Sequence, residues 1–204
     1  MTVLNVLLRP DRLAVAVDTL AENASSGAPS VGAKALLVPQ HNIVLAARGS
    51  ARLLLHLYSV LLQASFRPDF QIERAAAEMG ALIDRVWPAY EASSAQMGIA
   101  EADLGIELVL GGWSNAEHRM IATAYAKSSG AAPAIVRCLE GGLASPGEPL
   151  RGRPDSFEPQ ALLEAGRLQA RYLNEKEGRV VAGDHLLLFD LTQGRAVVTE
   201  LGML

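Results

Sequence analysis

Four residues of this 204-residue chain have types and an order that suit nucleophilic hydrolysis: Thr2, Asp18, Lys34 and Gly49. Asp18 follows Thr2 by sixteen positions, and Lys34 follows Asp18 by sixteen more. Asp18 closes the strand-like run Leu13-Ala14-Val15-Ala16-Val17-Asp18-Thr19, Lys34 stands in Gly32-Ala33-Lys34-Ala35, and Gly49 in Ala47-Arg48-Gly49-Ser50. A hydroxyl, a carboxylate and an ammonium are the parts of a nucleophile whose proton must leave and whose charge must be balanced. Residue type alone also allows a plainer account, with Thr2 as a β-branched residue opening a strand and Asp18 and Lys34 as a surface ion pair beside a turn.

In that order the four positions resemble the N-terminal threonine, aspartate, lysine and glycine of proteasome β-type subunits and the related bacterial ring protease subunit. Both are N-terminal-nucleophile (Ntn) hydrolases. The resemblance implies that Thr2 is the nucleophile and that its own α-amino group is the base. An α-amine titrates near pH ~8 in model peptides, so a modest downward shift leaves it largely neutral at working pH. Lys34 would disfavour the protonated amine and favour the alkoxide, and Asp18 would keep Lys34 charged and oriented. A backbone N–H near Gly49 would be the oxyanion donor, because a residue without a side chain lets the substrate carbonyl approach the main chain. The set is complete only when Met1 is removed, since an acylated Thr2 nitrogen is an amide.

The elements that must hold these residues are legible from periodicity and turns. Two strands, Thr2 to Leu8 and Arg12 to Asp18, are joined by Arg9-Pro10-Asp11 into a hairpin. Ala21 to Gly32 has no apolar period and reads as a loop. Strands follow at Ala35 to Val38 and Ile43 to Ala47 around the turn Pro39-Gln40-His41-Asn42. From Ser50, a cap, the period becomes helical through Leu53, Leu54, Leu57, Tyr58, Leu61 and Leu62. It continues beyond Pro68 through Ile72, Met79, Ile83 and Val86, giving two packed helices. The leucines of the first helix read as core. Further strands are expected at Ile106 to Leu110, Met120 to Tyr125 and Ala134 to Leu139, with Gly111-Gly112-Trp113-Ser114 as a turn in which Trp113 covers a sheet end or lines a pocket. After a Gly/Pro-rich segment, Gly141 to Pro154, come a helix from Phe157 to about Asn174 and a hairpin of Val180 to Phe189 and Ala196 to Leu201. This order suggests an α+β fold of two stacked antiparallel sheets with helices outside. The resemblance implies the four-layer αββα sandwich of the Ntn hydrolases, as a single domain over residues 1–204.

The resemblance is clear to about residue 90 and thinner beyond. Where the family has a second helix opened by Gly-Ser-Gly, this chain has Gly141 to Pro154. Ser129 and Ser156 are the nearest candidates for a serine contacting the terminal amine. The family's Asp-x-x-Ser-Gly falls on Asn174-Glu175-Lys176-Glu177-Gly178, so Asn174 and Glu177 replace Asp and Ser, and a carboxylate at Glu177 would raise the amine's pKa.

Composition narrows the rest. Half the residues are apolar, enough for a sizeable core, and a net charge of −4 with scattered Lys and Arg argues against a nucleic-acid partner. The opening apolar stretch stops at Leu8 and the longest, Leu53 to Leu62, falls far short of the ~20 residues of a membrane span. The chain reads as cytoplasmic, with no membrane partner. The lone Cys138 forms no internal disulfide and reads as a small buried apolar residue. His41, His56, His118 and His185 lack metal-ligand spacing, Gly111-Gly112 lacks a phosphate-loop lysine, and Asp184-His185 with a distant serine has no triad spacing, so neither metal nor cofactor is expected. What the resemblance implies is therefore a threonine-type peptidase subunit that self-associates into a ring or stacked rings and takes polypeptide substrates. Two other readings stay open: a catalytically silent ring subunit with an assembly or binding role, and an Ntn amidase acting on small amides.

Overall fold

The computed structural model describes residues 2–23, 26–101, 104–151 and 156–204. Met1, on whose removal the expected chemistry turns, and the end of the Gly141 to Pro154 segment lie outside the described residues.

The chain opens with the expected hairpin, β1 (Leu4–Arg9) and β2 (Arg12–Asp18), turned at Pro10 and Asp11. The stretch expected as a loop instead contains two short strands, β3 (Leu20–Glu22) and β4 (Pro29–Val31), paired into a ribbon of their own. It is half exposed or fully exposed along its length, so backbone pairing and not apolar patterning makes the strands. Strands β5 (Ala35–Val38) and β6 (Ile43–Gly49) follow, then helices α1 (Ala51–Ser65) and α2 (Ile72–Gln96). Ser50 caps α1 through its hydroxyl, which accepts the N–H of Leu53. Next come β7 (Ile106–Ser114), β8 (Arg119–Lys127), β9 (Ile135–Cys138), β10 (Leu143–Ser145), α3 (Pro159–Glu177), β11 (His185–Thr192) and β12 (Arg195–Met203). Among the described residues, no helix is long and apolar enough to cross a membrane.

Two five-stranded antiparallel sheets result, in the orders β10-β1-β2-β11-β12 and β5-β6-β7-β8-β9. Strand alternation sends neighbouring residues to opposite faces. In β2, Leu13, Val15 and Val17 join Val44, Ala46 and Val109 of the other sheet in one buried cluster. Ala14 and Ala16 instead meet Leu162, Leu163, Ala170 and Leu173 of α3. In β6, Leu45 and Ala47 turn the other way and pack on Leu53, Leu54, Leu57 and Leu61 of α1 and on Met79, Ile83 and Trp87 of α2.

Three expectations are corrected here. Gly111 to Ser114 is the end of β7 and not a turn. A Cβ on Gly111 would lie 2.7 Å from a methyl of Leu13, so glycine is needed where the two sheets approach, not where the chain reverses. The Gly/Pro-rich segment contributes β10, which pairs with β1 as Leu4 with Ser145 and Val6 with Leu143. Cys138 is exposed on β9, an edge strand of the sheet, and not buried.

Candidate active site

The two-residue turn of the first hairpin decides what stands beside Thr2. With Arg9 opposite Arg12, each step back along the ladder brings Leu4 opposite Val17 and then Val3 opposite Asp18. Asp18 uses this position twice. Its N–H reaches the Val3 carbonyl at 3.4 Å, and its Oδ1 accepts the Val3 N–H at 2.8 Å. The carboxylate is thereby anchored to the residue next to Thr2, which is itself buried at 3% exposure.

Lys34 arrives from the other sheet. Its carbonyl accepts the Ala47 N–H at 2.8 Å, extending the β5–β6 ladder, and its Nζ donates to Asp18 Oδ1 at 2.8 Å. Both partners are buried, so this is an interior ion pair and not the surface pair that residue type alone allowed. The second oxygen, Asp18 Oδ2, accepts the N–H of Gly183 at 3.1 Å. Burial raises the Asp18 carboxyl above its ordinary value, opposed by the charge of Lys34 and by three donors. Burial likewise pulls the Lys34 ammonium down, opposed by the charge and hydrogen bond of Asp18. Each ion thus depends on the other to remain charged.

Gly49 ends β6 two residues beyond Ala47, is exposed, and directly precedes the Ser50 cap of α1. Its φ of 125° is open to glycine, and a Cβ there would run into the carbonyl oxygen of Gly105. An open cavity of about 480 Å³ adjoins it, walled by Ile106, Glu107, Lys127 and Ser129 among others. Arg48 and Glu107, on its rim, are bridged by Ser145: the hydroxyl accepts from Arg48 Nη1 at 2.8 Å and donates to a Glu107 carboxylate oxygen. Because Ser145 pairs with Leu4, this bridge ties the start of β1 to the strand that carries Gly49.

The structure thus brings Asp18 and Lys34 into contact next to Thr2 and links Gly49 to Lys34 through Ala47. The residues expected to replace the family's amine-tuning pair part company. Glu177 is exposed in the last turn of α3, while Asn174 clamps the loop before β11. The Asn174 Oδ1 accepts the N–H groups of Val181 and Ala182 at 2.8 and 3.0 Å, and its Nδ2 donates to the Ala182 carbonyl at 2.9 Å. Ser129 and Ser156 accept local backbone N–H groups, from Ala131 and Glu158. Gly183 is the residue missed from sequence. The run Val180 to Phe189 was expected as one strand, but β11 begins only at His185, and Gly183-Asp184 was the turn signal that should have divided it. Thr19 holds that turn too, donating to Asp184 Oδ2 at 2.8 Å and accepting the His185 N–H at 3.1 Å.

No protein-family model and no curated protein matches the chain. Among solved structures it is similar to Anbu (ancestral beta-subunit) from Yersinia bercovieri, with a TM-score of 0.67 over 99% of this chain and 87% of that one. The two are 14% identical, so the likeness speaks to the fold alone: this chain shares the fold of that subunit.

Proposed function

We propose that this chain is a proteasome-like subunit that hydrolyses peptide bonds with Thr2 once Met1 is removed. The reading rests on the buried Asp18–Lys34 pair, whose aspartate also holds the Val3 N–H, so that a cation and its counter-charge stand beside the residue that would bear nucleophile and base. Burying two charges is costly and is repaid only by good geometry and further hydrogen bonds. Three donors on one carboxylate at a strand end are more than the hairpin needs to hold together. The Thr2 hydroxyl would attack the scissile carbonyl while its proton passes to the α-amino group of the same residue. The resulting oxyanion would face the N–H of Gly49 at the positive end of α1. Collapse would give an ester on Thr2 and release the amine with the transferred proton, and water would then cleave the ester by the same route in reverse. The cavity beside Gly49 has room for a side chain of the substrate.

The same reading treats residues 1–204 as one domain in four layers. These are α1 with α2, the β5-to-β9 sheet, the β10-to-β12 sheet, and α3, and the alternation of side chains among three buried clusters supports the αββα order. It also takes the chain as a self-associating subunit of a ring or stacked rings.

One observation favours a second reading, a silent subunit with an assembly or binding role. Thr2 is only 3% exposed, and with Met1 attached its nitrogen is an amide. The two readings separate in one experiment. Thr2 exposed by cleavage of a removable N-terminal fusion should hydrolyse peptide amides or be covalently labelled by an electrophile. The Met1-retaining form and Thr2→Ala should do neither, and Thr2→Ser should keep some activity because amine and hydroxyl are preserved. An exposed-Thr2 protein that is folded yet inert to varied peptides and electrophiles would establish the silent subunit. Turnover of small amides with no gain on longer peptides would make it an amidase.

A further inference from the structure

The opposite end of the β5-to-β9 sheet carries a second concavity that the hydrolytic reading does not use. Gly49 pairs with Ile106 at one end of the β6–β7 ladder and Ile43 with Gly112 at the other, six residues away. At ~3.3 Å per residue the two ends are about 20 Å apart. A cavity of about 420 Å³ opens at the far end, within the ~300–1,000 Å³ usual for small-ligand sites. It is formed where the β5–β6 turn, the first turn of α2, the end of β7 and the β11–β12 turn converge.

Its walls set aromatic faces and one acid among neutral amides. Trp113 and Phe70 line it, and Phe70 packs against His41 with ring centroids 4.5 Å apart. Glu73 supplies a carboxylate whose Oε1 is held by the hydroxyl of Ser114, itself fully buried. Among the described residues, no lysine or arginine lines the cavity. The free N–H groups at the start of α2 contribute about half a positive charge, and the full negative charge of Glu73 in that same turn outweighs it. Asn42 shapes the wall at the β5–β6 turn. It lines the cavity, is 8% exposed, and is held in a left-handed conformation at φ 53°. Its Nδ2 donates to the Thr192 carbonyl, which fixes the amide's orientation, whereas its Oδ1 has no hydrogen-bond partner among the described residues.

We infer that this cavity is a binding site for a small guanidinium or alkylammonium compound, its cation over Trp113 and beside Glu73. An acceptor and aromatic faces without a competing lysine or arginine select for a positively charged donor, and tryptophan offers the strongest face of the aromatic side chains. The inference does not depend on Thr2 being active.

Agmatine is the probe, titrated into the full chain by calorimetry and followed in parallel by indole N–H resonances in NMR. Saturable binding that shifts the Trp113 indole is expected. The resonance of Trp87, fully buried on α2 with its N–H on Glu91, should stay in place. Glu73→Gln and Trp113→Leu should each weaken binding about ten-fold, as should replacing agmatine with neutral n-butylurea. Should Trp113→Leu not fold, Glu73→Gln and the indole shift decide the matter. Absence of saturable binding, indifference to Glu73→Gln, equal affinity for butylurea, or displacement of agmatine by inorganic phosphate at the α2 terminus would each overturn the site.

Discussion

At the scale of single residues, the Asp18–Lys34 pair makes the most demanding prediction. With both partners buried, Asp18→Asn would leave an ammonium without its counter-charge and should cost about 3–5 kcal/mol of stability. The double change Asp18→Asn with Lys34→Met should recover much of that loss, and denaturant unfolding of the four proteins measures it. Simple additivity would mean that the two side chains are not energetic partners. Gly49 poses a backbone test. Gly49→Ala forces a Cβ into a left-handed conformation and against the Gly105 carbonyl, so it should lower stability by about 1–3 kcal/mol. If Gly49 also holds the oxyanion, the substitution should depress kcat of an exposed-Thr2 enzyme beyond any loss of folded protein.

At the scale of elements, the loop between α3 and β11 sets how well Asp18 is held. Asn174 clamps its first half, satisfying two N–H groups and a carbonyl just before Gly183 donates to the carboxylate. Asn174→Ala should therefore cost about 1–3 kcal/mol by orphaning these groups and should speed amide exchange across residues 180–184 selectively. Unchanged exchange there would remove Asn174 from any positioning role. A second joint, between α2 and the β8–β9 connection, is made by Asp84, which accepts from Lys127 Nζ at 2.8 Å and from the Ala134 N–H at 2.8 Å. The hydrogen bond from Lys127, chiefly, holds the Asp84 carboxyl below its ordinary value of 3.8. A carboxyl depressed in the folded state adds stability above its unfolded value, and that stability disappears as pH falls through the folded one. The advantage of the native protein over Asp84→Asn should thus be full at about pH 6 and shrink steadily below about pH 4, as urea midpoints would record. A constant gap would show that Lys127 does not depend on the charge.

For the whole molecule, the ring reading has a direct test. Phe66 and Leu55 on and after α1 are exposed, as are Ile135 and Val136 on the edge strand β9, and apolar groups so placed are suited to burial against neighbouring copies. Light scattering at micromolar concentration should give a mass several times that of one chain, and a monomer would count against the subunit reading. The sequence by itself determined the period-two strands around Asp18, Lys34 and Gly49, the two leucine-rich helices and the closing hairpin, because those signals are local: alternation, a helical repeat, a capping serine, a two-residue turn. It also put Thr2, Asp18, Lys34 and Gly49 in order, since one short turn fixes the register that sets Asp18 against Val3. Only the tertiary structure decided that the Asp18–Lys34 pair is interior, that Gly183 is its third support, and that Asn174 serves the loop while Glu177 faces solvent. It alone turned Gly111-Gly112 from an apparent turn into strand, with Gly111 packed against Leu13 of the other sheet and Gly112 against Ile43 of its own, and made strands of β3, β4 and β10, which have little pattern of their own. In each case the deciding partner lies far along the chain, and burial, which sets the energy of a charge or the need for a glycine, depends on what packs from the other sheet.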